Sequence, residues 1–225
     1  MSRGYTTGVR GGFQARSEAP RLKGIDFMAS GRITKMKGNF PLERDARPSK
    51  VLVEAKDKDL VGTEKVFGNQ DIEHAAVFVK GKQVFLRTDE SSNSVTFTLK
   101  ELKAMKDAVF THNHPVVEGV SFPFSRADIL MMRDVRAQGF RAVAGGTTFV
   151  MEPPKDSKFW KTNFSKLEGM MQQVLEVQLK SRGVPGNSVD EMFARAKPKD
   201  AAFALDAMLT LMDKQLNIGY KKLKS

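Results

Sequence analysis

The chain has 225 residues, 40% apolar and 28% charged, a balance that allows one sizeable buried core. It contains no cysteine, which excludes disulfides and thiolate ligands and leaves any metal to His, Asp or Glu. No apolar run approaches the roughly 18–20 residues that span a membrane, and the N-terminus lacks the apolar stretch of a secretory signal. Both features point to a cytoplasmic protein with no membrane partner.

Residues 1–48 are rich in Gly and Arg and show little periodicity, so they read as a basic, poorly ordered or partner-ordered arm. Residues 1–50 carry +7 of the net +11, counting 11 Lys/Arg against 4 Asp/Glu. Arg3, Arg10, Arg16, Arg21 and Lys23 are the candidate polyanion-binding set, toward nucleic-acid phosphates or another acidic surface. A solvated basic tail explains the same composition equally well.

Residues 49–155 read as an α/β domain. Ala75–Val79 and Val84–Arg87 are predicted strands joined through Lys80-Gly81-Lys82, a hairpin signal. "SVTFTL" alternates as a further strand, and Leu99, Leu102 and Met105 fall at helical spacing. "DAVFTH" is a strand leading into the histidines. Ser125 is a candidate N-cap for the helix "SRADILMMRDVRAQGF", with Asp128 three residues on as an acidic capping-box partner. "RAVAGGTTFVM" gives two strands about Gly145-Gly146.

Residues 156–225 read as a helical C-terminal extension. Phe159, Trp160, Phe164, Leu167, Met171, Val174 and Leu175 form one apolar face, and Gly183 is a natural stop. Ser188 and Glu191 have capping-box spacing. Phe203, Leu205, Met208, Leu211 and Met212 are expected to face a core, with the methionines as gap-fillers. The lysine-rich end reads as a solvated tail.

Two of the three histidines lie in "THNHP". Side chains two apart on an extended segment share a side, so His112 and His114 can aim at one point while Asn113 turns away. Pro115 then ends regular pairing. Such a stretch is either a turn that happens to contain His or half of a metal site. Asp128, in the first turn of the next helix, can face back to complete a His, His, Asp set suited to Zn²⁺. Phe122, Pro123 and Phe124 are placed to fix that return. Glu73, opening an apolar strand, is the candidate base, taking a proton from metal-activated water and passing it to the leaving amine. Ser125 is either a simple N-cap or a donor to a developing oxyanion. Asp128 can combine a capping role with ligation. His74 faces away from Glu73, and Glu118 is a solvated carboxylate or a lid residue.

Glu73, His112-Asn113-His114-Pro115 and Ser125-x-x-Asp128, in that order, resemble the motif of the JAB/MPN/JAMM metalloprotease superfamily. "HNHP" followed by "SRADI" is similar to the RadC-type branch and to JAB-like domains of phage head proteins and polymorphic toxins. The resemblance covers roughly residues 70–152 and includes the order of elements. The loop between the two motif halves is about three residues longer than the compact pattern, an insertion that loops tolerate. The resemblance implies a deaminase-like α/β fold, a mixed central sheet with flanking helices, carrying the helical extension. It places the metal ligands on His112, His114 and Asp128, the base on Glu73 and the oxyanion-side serine on Ser125. The implied activity is zinc-dependent hydrolysis of an amide or isopeptide bond in a protein or peptide substrate. Two other readings stay open: a phage virion or head-associated protein using the domain as an auxiliary part, catalytic or not, and a RadC-like DNA-associated protein. A phage source would place the protein in the host cytoplasm or the virion.

Overall fold

The computed structural model describes residues 6–7, 50–88, 95–97 and 99–224. Arg3, Arg10, Arg16, Arg21 and Lys23 lie outside the described residues, as does most of the arm. Within the arm, Thr6–Thr7 form a short strand, β1.

Two helices, α1 (Lys50–Ala55) and α2 (Leu60–Phe67), precede the sheet. Asp59 caps α2 by accepting the Gly62 N–H at 2.6 Å. The chain then makes the hairpin of β2 (Ala75–Val79) and β3 (Lys82–Arg87). Its turn residues Lys80 and Gly81 both take positive φ, as a tight type I′ connection requires. The hairpin is longer than predicted because β3 begins at Lys82. The alternating segment that follows contributes only β4 (Val95–Thr96), paired antiparallel with β1.

Next come α3 (Leu99–Ala104), the histidine strand β5 (Val109–Asn113) and α4 (Arg126–Val135). The strands β6 (Gly139–Ala144) and β7 (Thr147–Met151) turn about Gly145-Gly146 as predicted. The helices α5 (Lys158–Lys161), α6 (Phe164–Ser181), α7 (Val189–Arg195) and α8 (Pro198–Leu216) complete the helical part. The last described residues form β8 (Lys221–Lys224).

Among the described residues the main sheet has six strands, in the order β3-β2-β5-β6-β7-β8. The β5/β6 pair is parallel, and the remaining neighbours are antiparallel. A parallel pair needs a crossover, and α4 supplies it. The fold is therefore α/β with a mixed sheet and flanking helices.

Alternation along the strands sends side chains to two faces. Ala76 and Phe78 meet Leu52, Ala55 and Phe67 under α1 and α2. Ala75, Val77, Phe110, Phe140 and Ala142 join a larger core with α3, α4 and the C-terminal helices. That core runs without a break from Phe110 to Met208 and Met212, so the boundary drawn at residue 155 does not divide it.

Two sequence expectations at the C-terminus are corrected. The lysine-rich end is no free tail: its side chains are exposed, but its backbone extends the sheet as an edge strand beside β7. Lysines on such an edge discourage further strand addition. Phe203 is not core either. It is 43% exposed and lies under the Arg182 guanidinium, 3.7 Å from its ring centroid. Among the described residues no helix is long and apolar enough to cross a membrane.

Candidate metal centre

The end of β5 and the start of α4 meet at the carboxyl edge of the sheet, where α/β folds commonly place ligands. Five-residue β5 alternates, so His112 faces α4 while Thr111 and Asn113 face α2 and the segment before β2. His114 follows just beyond the strand, its N–H donating to the Val143 carbonyl at 2.9 Å. Pro115 then releases the chain into a loop. Val117 and Val120 pair across Glu118 and Gly119, both at positive φ, so the loop closes in a tight turn. Glu118 sits exposed at its tip.

That loop is anchored on the β6–β7 turn. Ser121 Oγ donates to the Ala144 carbonyl at 3.0 Å. A Cβ on Gly145 would meet Val116 Cγ2 at 2.8 Å and Ser121 Oγ at 2.9 Å, at a φ of +50°. Glycine is required there on both counts. Phe122, Pro123 and Phe124 are buried, and the Phe124 and Phe140 rings flank His112 at 6.3 and 6.2 Å.

His112, His114 and Asp128 are buried, and one ligand atom from each lies within 4.8 Å of the others. The two Nε2 atoms are 2.8 Å apart, and His112 Nε2 is 3.3 Å from Asp128 Oδ1. His114 Nε2 is 3.6 Å from Asp128 Oδ2. Ligands of a tetrahedral zinc at about 2.0–2.2 Å would be roughly 3.3 Å from one another, so the group can hold a metal ion. Two imidazole lone pairs at this separation repel unless a proton or a cation lies between them.

The far atoms of His114 and Asp128 are tied elsewhere. His114 Nδ1 is 3.1 Å from the Phe122 carbonyl, which can only accept. The proton therefore sits on Nδ1, leaving the Nε2 lone pair toward the centre. Asp128 Oδ2 accepts from the Ser125 N–H at 2.7 Å and from Ser125 Oγ at 2.8 Å. Asp128 Oδ1 makes no hydrogen bond and faces His112. Ser125 is also the N-cap of α4, completing the capping box. Its capping role and its hold on Asp128 coexist, and its hydroxyl hydrogen is committed to the ligand carboxylate.

Burial drives the His112 pKa down, with His114 adding to it, against the opposing pull of Asp128. Burial pushes Asp128 up, but the electrostatic interaction with His112 and the contact with His114 outweigh it. The carboxyl stays well below its ordinary range. The N-terminus of α4 favours the same ionised form. A neutral imidazole beside an ionised carboxylate is the protonation state that a metal needs.

Glu73 is buried directly before β2, and its Oε1 is 4.0 Å from His114 Nε2. The structure thus brings all five sequence-derived site residues together. His74 points elsewhere as expected, its Nδ1 on the Ile72 carbonyl at 3.0 Å and its ring stacked on Phe67. Three supporting groups escaped the sequence reading: the Phe122 carbonyl, Thr88 and the Asn113 side chain. Their partners lie 8, 15 and up to 43 residues away, beyond any local pattern.

No protein-family model, curated protein or solved structure matches this chain. The likeness to the JAB/MPN/JAMM motif therefore rests on these residues alone.

Proposed function

We propose that the protein is a zinc-dependent hydrolase similar to the JAMM peptidases and isopeptidases, acting on an amide or isopeptide bond. The observation that carries this reading is the convergence of His112 Nε2, His114 Nε2 and Asp128 Oδ1, with Glu73 beside them as a separate carboxylate. A non-ligand carboxylate next to a His, His, Asp set is the arrangement that metal-assisted hydrolysis needs.

Held by His112, His114 and Asp128, zinc supplies the Lewis acidity that acidifies water and polarises a carbonyl. Glu73 takes a proton from the attacking water at a carboxylate oxygen and delivers it to the leaving nitrogen. Ser125 keeps the Asp128 carboxylate aimed. Its hydroxyl reaches a developing oxyanion only by leaving Asp128 Oδ2, so orientation is its first task. The phenylalanines around His112 keep bulk water from the ligands.

The test is Glu73→Gln, nearly isosteric but unable to carry the proton. Zinc content and fold should match the wild type, while turnover on a peptide and isopeptide panel falls by about 10²–10⁴-fold. Loss of zinc in the variant would make Glu73 a ligand or a support. Unchanged turnover would remove it from the chemistry.

A further inference from the structure

The geometry points to Asn113, the residue between the two histidines, as a positioning residue that fixes the base Glu73 against the metal centre; this rests on the hydrolase reading. Asn113 is fully buried and every polar atom of its side chain is used. Its Oδ1 accepts the His74 N–H at 2.7 Å. Its Nδ2 donates to the carbonyls of Ile72 at 3.0 Å and Gln70 at 3.3 Å. The Asn113 N–H donates to the His74 carbonyl at 3.1 Å. The segment 70–74 is therefore wrapped around one side chain.

Glu73 lies inside that segment, and its own carbonyl accepts from Thr88 Oγ1 at 2.7 Å. Both peptide groups flanking Glu73 are thus tied, the first by Asn113 and the second by Asn113 and Thr88 together. The side chain leaves a backbone held on both sides, with Oε1 4.0 Å from His114 Nε2. The construction has a consequence for the chemistry. Alternation sends His112 to one face and Asn113 to the other, so one strand carries the ligand and the clamp of the base together. Any shift of β5 moves metal and base as a unit, and their separation is preserved. General bases need such fixed placement, because small displacements cost large factors in rate.

Asn113→Ala deletes the side-chain clamp. Thr88→Val is its shape-conserving companion, removing one hydroxyl donor and little volume. Asn113→Asp keeps the acceptor for His74 but turns an oxygen onto the Ile72 and Gln70 carbonyls. The experiment loads each full-length variant with cobalt(II) in place of zinc and follows its visible absorption against pH, with Glu73→Gln as reference. Cobalt affinity should stay within about threefold of wild type, since no ligand is touched. The pH midpoint of the spectral change should move in the direction seen for Glu73→Gln in all three variants. On a hydrolysed substrate kcat should fall about 10–100-fold with KM little changed. Wild-type midpoints in the Asn113 and Thr88 variants, with Glu73→Gln displaced, overturn the clamp alone. A Glu73→Gln midpoint equal to wild type removes Glu73 from the metal and overturns the hydrolase reading together with the clamp.

Discussion

Asp128 is ionised in the interior because both of its oxygens have assigned neighbours: Ser125 and His114 on Oδ2, and His112 on Oδ1. His112 is held neutral first by burial, and His74 by the same cause. Both histidines have folded pKa values below the usual value of about 6.5. Between the two values the unfolded chain binds more protons than the folded one, so stability rises with pH there. It is lost as pH falls below about 6.5, and Asp128 adds a further loss below about 3.9, where the unfolded carboxyl takes up its proton. Zinc bound by His112, His114 and Asp128 would compete with the same protons. At pH 7.5 and free zinc a hundredfold above Kd, the melting temperature should rise by about 5–10 °C, from about 2.7 kcal/mol of linkage. At pH 5 the rise should be smaller. Thermal scans with and without zinc at both values check this, and an equal rise at both would place the metal on groups other than these. The cluster of His112, His114 and Asp128 was legible in sequence because HxHP and SxxD are each local: the strand period sets one and the helix cap the other. Glu73 was legible only as a carboxylate opening an apolar strand. Asn113 and Thr88 were not, because a hydrogen bond across 39 or 15 residues leaves no periodic trace.

At the scale of elements, α2 is pinned to the sheet by a largely buried ion pair. Glu64 takes Arg141 Nε at 2.5 Å and a terminal nitrogen at 3.0 Å, and accepts Thr111 Oγ1 at 3.0 Å. The bond from Glu64 raises the Arg141 pKa against the opposing effect of burial. The pair joins α2, β5 and β6 on the face opposite His112, and so holds the strand that carries the ligands. Glu64→Leu leaves Arg141 with its charge in the interior and should cost about 3–5 kcal/mol in denaturant unfolding. Adding Arg141→Met should recover most of that loss. Equal stability of single and double variants would show that the pairing carries no energy. Neither α2 nor its anchor was read from the sequence, since an eight-residue helix with two buried polar side chains lacks a clean apolar stripe. The edge strand β8 was missed for a related reason. Its residues are all exposed, so no alternation marks them, and the strand is set by backbone pairing with β7.

Over the whole molecule, the C-terminal helices belong to the structure that carries the centre. Phe159, Leu167, Met171, Leu205 and Met208 share one core with Phe110 and Phe140 beneath His112. Arg126, the first residue of α4 and next to Ser125, is buried and ion-paired with Asp190 of α7. The α/β class was legible from alternating apolar segments and tight-turn residues. The union of the two halves was not, because helical periodicity shows that a face is buried and not what it meets. Phe203 illustrates the limit: its spacing matches the apolar face of α8, yet Arg182 covers it near solvent. All of this architecture converges on three donor atoms, and the most direct test of the account is metal content. Full-length wild type and the His112→Ala/His114→Ala double variant are equilibrated with zinc, freed of excess and analysed. The account predicts about one zinc per wild-type chain and almost none in a folded double variant. Equal zinc in the two proteins would contradict it.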